Sequence, residues 1–282
     1  LQVSHLRNLS KIKERTTMKT AIKLVLIYFL MQILGTLTAG PIAVLYVYFT
    51  TGSLDPEAAR RLMMAPALLL GMVYMTWYLW KKNYLADDGR MYSLTTPSCL
   101  TWSVVAGVTS IFLTNEAVSR LTFLPDLMKQ TFDTLQSGWL GILCVAVLGP
   151  VLEELLFRGA ITKVLLQKYA PAKAILLSGL VFGVFHINPA QVAGAFLTGL
   201  LLAWLYWRTR SLVACILIHI LNNSFAVYIG LNYPEVESMT ELLGTPLVVA
   251  MAVVSLVLFL LSVKKVNAYQ PFATNTTIDN KL

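Results

Sequence analysis

Residues 153–158 read Glu-Glu-Leu-Leu-Phe-Arg and close an uncharged run of twelve residues, 141–152. Glu154 and Arg158 are i and i+4 with the acid N-terminal, the favourable order for an ion pair on one helix face. Glu153 lies about 100° around the same helix. One carboxylate is therefore neutralised and the other left free. Further along, His186 ends one apolar run, and His219, Asn222 and Asn223 share another. The chain has three histidines, and two of them are in this set. A free carboxylate can take a proton from water and hand it on, while His219 and Asn223, also i and i+4, present N–H donors from one face, as a developing oxyanion requires. Such parts suit hydrolysis of a peptide bond.

The elements that carry them decide whether the charges mean anything. Of 282 residues, 57% are hydrophobic and 13% charged, with a mean hydropathy of +0.68; soluble domains carry about 25% charged residues. The composition is that of a polytopic membrane protein, in which an ionisable group at bilayer depth is a functional hypothesis by default. With about 20 residues per crossing, eight stretches are candidates, near 21–49, 62–80, 98–114, 139–158, 172–187, 190–207, 211–231 and 245–263. They lack strand-like alternation, which predicts an all-α helical bundle and not a β-barrel. The first holds Gly40-Pro41 and is counted once, as a kinked helix or as a span plus an interfacial segment. The expected division is a tail over 1–20, accessory helices over 21–138, a four-helix catalytic core over 139–231, a last helix with its preceding loop over 232–263, and a tail over 264–282.

Basic residues test the count, because Lys and Arg collect in cytoplasmic loops. Arg7, Lys11, Lys13, Arg15 and Lys19 precede the first span; Lys81, Lys82 and Arg90, then Lys163 and Lys168, then Arg208 and Arg210 fall in alternate loops; Lys264, Lys265 and Lys281 follow the last. Both ends are expected on the cytoplasmic side of the membrane. The net charge of +8 thus reports orientation, and no basic patch with interleaved aromatics points to nucleic acid. The basic tail resembles a signal-peptide n-region, but the apolar run is too long and lacks a small-residue cleavage site, so it is read as a retained helix. Met18 opens that run, and residues 1–17 are read either as an upstream extension or as not native to the chain. Cys99, Cys144 and Cys215 lie in apolar stretches as small hydrophobes, with neither disulfide nor metal spacing. Asn275-Thr276-Thr277 matches a glycosylation pattern within a tail expected to be cytoplasmic.

Helix lengths set the expected depths. Glu153 lies 15 residues before Lys168 and His186 lies 13 after Lys173, about 22 and 20 Å on either side of the turn at Ala170-Pro171. His219 lies 9 residues past Arg210 and Asn223 lies 13, about 14 and 20 Å. That puts Asn223 level with Glu153 and His186, and His219 about 6 Å short of them. A zinc ion needs its ligand atoms at about 2.0–2.2 Å, so the offset argues against an obligatory metal, as does the absence of HExxH. Taken singly, each feature has a plain reading. A Glu–Arg pair is ordinarily structural, and a lone membrane histidine or Asn222 ordinarily satisfies a neighbouring helix. An inert bundle has no reason to place all of them together.

The residues resemble a known family, the CAAX-protease and bacteriocin-processing (CPBP, or Abi) intramembrane endopeptidases, prokaryotic type. Its motifs EExxxR, FxxxH and HxxxN read here as Glu153-Glu154-Leu155-Leu156-Phe157-Arg158, Phe182 to His186, and His219 to Asn223. The resemblance covers about 139–231. It implies that Glu153 activates water, that His186 helps hold it, that His219 and Asn223 are oxyanion donors, that Glu154 and Arg158 are structural and that Phe182 packs the site wall. It also implies a peptide or membrane-anchored protein as substrate, in the lipid bilayer. Family members have been described as metalloproteases, and Glu153, His186 and His219 are the candidate ligands if zinc is used; no cofactor is required by the residues themselves. Two readings of another class stand beside the enzyme. A silent scaffold that binds a partner such as a sensor kinase would keep the motifs for stability. A proton-coupled transporter would show inverted repeats and paired broken helices, and the sequence shows neither.

Overall fold

The structure, a computed structural model, describes residues 18–86, 91–236 and 238–269, and every regular element among them is a helix. The upstream extension, Arg90 and the Asn275 pattern lie outside the described residues. α1 (Met18–Thr51) is one unbroken helix that passes through Pro41. At about 51 Å it outruns a 30 Å hydrocarbon layer, so the first stretch is one long helix and not a span plus a separate segment. α2 (Pro56–Lys81) starts where Asp55 accepts the N–H groups of Glu57 and Ala58, with Pro56 at its first position. α1 and α2 pack along their length because of their small residues. A Cβ on Gly35 would strike the Ala67 carbonyl and the Gly71 backbone, and without a side chain the two backbones can touch.

The chain continues as α3 (Pro97–Val118), α4 (Lys129–Gln136), α5 (Trp139–Leu166), α6 (Pro171–Phe185), α7 (Pro189–Thr209), α8 (Val213–Asn232), α9 (Met239–Leu243) and α10 (Thr245–Ala268). Seven of these, α1, α2, α3, α5, α7, α8 and α10, are long and apolar enough to cross a membrane. The eighth stretch expected from the sequence, 172–187, is only the 15-residue α6. Its length of about 22 Å falls short of the hydrocarbon thickness. Pro189 explains the early stop, because residues before proline are driven from helical geometry. α6 therefore stops short of a full crossing, and His186 is the residue that follows it.

One buried cluster joins α1, α2, α5 and α6 around Leu24, Met75, Leu79, Leu156, Phe157 and Phe182. A second joins α3, α7, α8 and α10 around Leu202, Leu205, Tyr206 and Ile218. With α6 too short to cross, α6 and α7 are expected to start and finish on one side, so chain parity does not depend on how deep the hairpin reaches. Reporters fused after residues 56 and 238 are expected on one face and reporters after 90 and 270 on the other, the cytoplasmic one. Finding the two ends on opposite faces would overturn this path.

Candidate active site

Local chemistry shapes α5 before any tertiary contact does. Pro150 has no N–H to give and its ring crowds the carbonyl four residues back. The helix answers by widening to a π-turn over Cys144–Leu148, with the Gly149 N–H reaching back to Cys144. A normal α segment, Gly149–Leu156, carries both glutamates, and a second π segment, Phe157–Thr162, carries Arg158. π-turns inside α-helices recur at functional sites. Here the first one gives the Val145 carbonyl a side-chain partner, the Asn223 amide at 3.1 Å.

Glu154 and Arg158 are fully buried. Arg158 Nη1 donates to Glu154 Oε1 at 2.8 Å, and Nη2 donates to the Gly199 carbonyl of α7 at 3.1 Å. The guanidinium lies 4.5 Å from the centre of the Phe182 ring. That ring also meets His186 and His219 edge-on, at centroid separations of 4.8 and 5.8 Å. A Cβ on Gly199 would come within 3.0 Å of Phe182, so this glycine lets α7 bring its carbonyl to Arg158.

The imidazoles are oriented by what their Nδ1 atoms face. His186 Nδ1 is 2.8 Å from the Phe182 carbonyl, and a carbonyl only accepts, so this nitrogen carries the proton. His219 Nδ1 is 2.7 Å from Glu154 Oε1, which also accepts from Arg158, and the same reasoning applies. In a neutral ring Nε2 then carries the lone pair. Both Nε2 atoms turn to one oxygen, Glu153 Oε2, at 4.0 Å from His186 and 3.7 Å from His219. That oxygen is buried and has no hydrogen-bond partner in the protein. Three acceptors from α5, α6 and α8 thus surround one point.

Two depth expectations fail together. His219 does not lie a turn short of Glu153, and Asn223 is not level with it but bonded to Val145, two turns earlier on α5. The estimate assumed that the turns at 166–171 and 209–213 share one depth. Glu153 stands 13 residues from the end of α5 and His219 only 6 from the start of α8, about 20 and 9 Å; for them to meet, the second turn must sit about 10 Å nearer the site. The segment 91–96 holds it there, with Met91 O accepting Leu212 N–H and Ser93 O accepting the Ser211 hydroxyl. Asn222 donates to Asn223 at 3.0 Å and touches nothing charged.

Tyr28 of α1 was not singled out from the sequence. Its ring packs on Phe185 at 4.7 Å and it lies within electrostatic reach of Glu153. The available signal was the i, i+4 pair Tyr28 and Gln32 in an otherwise apolar stretch.

The offset argument against zinc falls with the depth estimate, and distances must replace it. Tetrahedral ligand atoms about 2.1 Å from zinc stand about 3.4 Å from one another. The Glu153 separations of 4.0 and 3.7 Å are wider. Among the described residues no three His, Cys, Asp or Glu are gathered as a metal site. As placed, the donors surround one point but stand wider apart than the ligands of a tetrahedral zinc.

Residues 135–225 match the family model described as type II CAAX prenyl endopeptidase Rce1-like. A Bacillus subtilis protein named "Putative membrane peptidase YdiL" is 33% identical over 110 residues, which is 38% of this chain and 45% of that protein. The chain thus spans less than half the length of the curated relative it matches. No solved structure matches significantly.

Proposed function

From the premise that residues 135–225 form a CPBP-family domain, we propose that this multi-pass membrane protein is an intramembrane endopeptidase that cleaves a peptide or membrane-anchored protein with water activated by Glu153. The observation that carries this reading is the ring of three acceptors around one point. Two histidine lone pairs and a carboxylate repel one another unless a hydrogen donor or a cation sits among them, and water supplies two O–H donors. Such a water is held by the base that is to deprotonate it.

The steps follow from the same hydrogen bonds. The water oxygen attacks the peptide carbonyl carbon while its proton passes to Glu153. The proton then goes to the amide nitrogen, the C–N bond breaks, and a new carboxyl and a new amine leave. His186 fixes the water. His219, held by Glu154 through Nδ1, accepts the water's other hydrogen at Nε2 and so turns the water's lone pair toward the carbonyl carbon. Asn223 uses one Nδ2 hydrogen on Val145, so its second can serve the oxyanion only of a substrate that extends along α5 from Glu153 toward Val145. Glu154, Arg158 and Phe182 hold these groups in place, and the lipid bilayer delivers the substrate.

The test compares the cleaved termini of the membrane proteome in cells carrying the wild type or Glu153→Gln. Termini that disappear with the substitution name the substrate; an unchanged set with a retained phenotype would instead favour the scaffold. In purified protein, stripping with a strong chelator is expected to leave peptide cleavage unchanged. Loss of activity that stoichiometric zinc restores would make Glu153, His186 and His219 ligands.

A further inference from the structure

The turn that ends α6 is strained. Ile187 has a φ of +58°, a region that β-branched residues rarely enter. Asn188 N–H reaches the His186 carbonyl at 2.5 Å, closing a γ-turn centred on Ile187. With a positive central φ this is the rare, strained form, and strained backbone persists only where its surroundings over-determine it. It sits directly after His186, whose own N–H reaches back only to Gly183, at 3.2 Å.

What holds it is Asn188. Its side chain is buried, 1% exposed, in a chain where the neighbouring Ile187 is 65% exposed. Asn188 Oδ1 accepts the Leu127 N–H at 3.0 Å, and Nδ2 donates to Asp126 Oδ1 at 2.9 Å. The same Asp126 oxygen accepts the Met128 N–H at 3.0 Å, which fixes the loop that follows α3. A segment about sixty residues away is thereby tied to the residue two past His186.

We propose that Asp126 and Asn188 form a clasp that positions His186, making both positioning residues for the reaction. The inference rests on the reading of His186 as a water-holding group. Asp126 lies on an exposed loop, outside the family match at 135–225, so it acts through the turn and not on the substrate. Releasing the clasp lets the γ-turn relax, and His186 Nε2 moves away from the point it shares with Glu153 and His219. A displacement of about 1 Å in a catalytic group is enough to cost about a hundredfold in rate.

The experiment uses the full chain in detergent with Asp126→Ala, Asn188→Ala and Asp126→Asn, read by kinetics and by imidazole 15N NMR. Only three histidines contribute signals, and His186→Gln identifies the one that matters. Both alanine variants are expected to lower kcat about tenfold or more at nearly constant KM, and to shift or broaden the His186 resonances while those of His219 stay in place. Asp126→Asn keeps an oxygen for both N–H donors and is expected to match the wild type in both readouts. Asp126→Ala alters only an exposed loop, so it decides the matter if Asn188→Ala does not fold. Unmoved His186 resonances with wild-type kcat, or an Asp126→Asn protein as impaired as Asp126→Ala, would overturn the clasp. Wild-type protein that cleaves nothing, with His186 resonances that still respond, would uphold the clasp and sink the protease reading.

Discussion

Glu153→Gln is expected to lower peptide cleavage by a factor of about 10² to 10⁴ or more, the range a general base contributes, while the protein stays folded and abundant. Glutamine keeps the shape of glutamate, so packing on α5 changes little. What changes is the hydrogen bonding. Glu153 Oε2 faces two imidazole nitrogens with no donor from the protein, a conflict that only the bound water relieves in the resting fold. A glutamine amide turns that conflict into an interaction, because its N–H can donate to His186 or His219. The variant is therefore expected to have a thermal midpoint equal to or above that of the wild type, as when a site strained for function is relieved. Rates and unfolding midpoints of the two purified proteins in one detergent check both halves. Retained cleavage would remove Glu153 from the chemistry; a fall in both midpoint and rate would make it a structural residue.

The sequence made the pairing of Glu154 with Arg158 and the separate direction of Glu153 readable, because both follow from 3.6 residues per turn within one helix. It also revealed the apolar stretches, although the helices outrun some of them, most of all at the end of α5, which continues from the expected 158 to Leu166. It could not show how helices are offset along the membrane normal. That offset depends on contacts such as Met91 with Leu212 and Ser93 with Ser211, far apart in the chain, and it decided whether His219 or Asn223 meets Glu153. Nor could the sequence show that Glu154 serves two partners. Arg158 at i+4 was visible, but His219, 65 residues on, had to be brought by α8. The break at Pro189 is legible between the stretches 172–187 and 190–207; what was passed over is that the first of them is too short for a crossing. The Asn188 clasp had no local signature, since an asparagine before a proline reads as an ordinary turn.

Arg158→Ala is expected to act on the amount of folded protein and not on the chemical step. The guanidinium is fully buried and makes three separate contacts, to Glu154, to the Gly199 carbonyl and over the Phe182 ring. A buried ion pair is weak evidence for stability as long as both partners are present, yet removing one leaves an uncompensated charge and costs about 3–5 kcal/mol. Here the stranded partner is Glu154, with only His219 left beside it, while the Gly199 carbonyl, inside α7, keeps its helical N–H partner and adds little to the loss. Against a typical margin of about 5–15 kcal/mol, that is enough to deplete the folded state. Arg158→Lys is expected to recover only part of the loss. A lysine ammonium carries the charge but lacks the fixed fork that reaches a carboxylate on α5 and a carbonyl on α7 at once. Membrane-fraction abundance and thermal midpoint, measured beside Glu153→Gln, separate the two glutamates' roles. If Arg158→Ala and Glu153→Gln lose abundance and activity in equal measure, then the division between a structural Glu154–Arg158 pair and a chemically active Glu153 is wrong, and both acids serve one function.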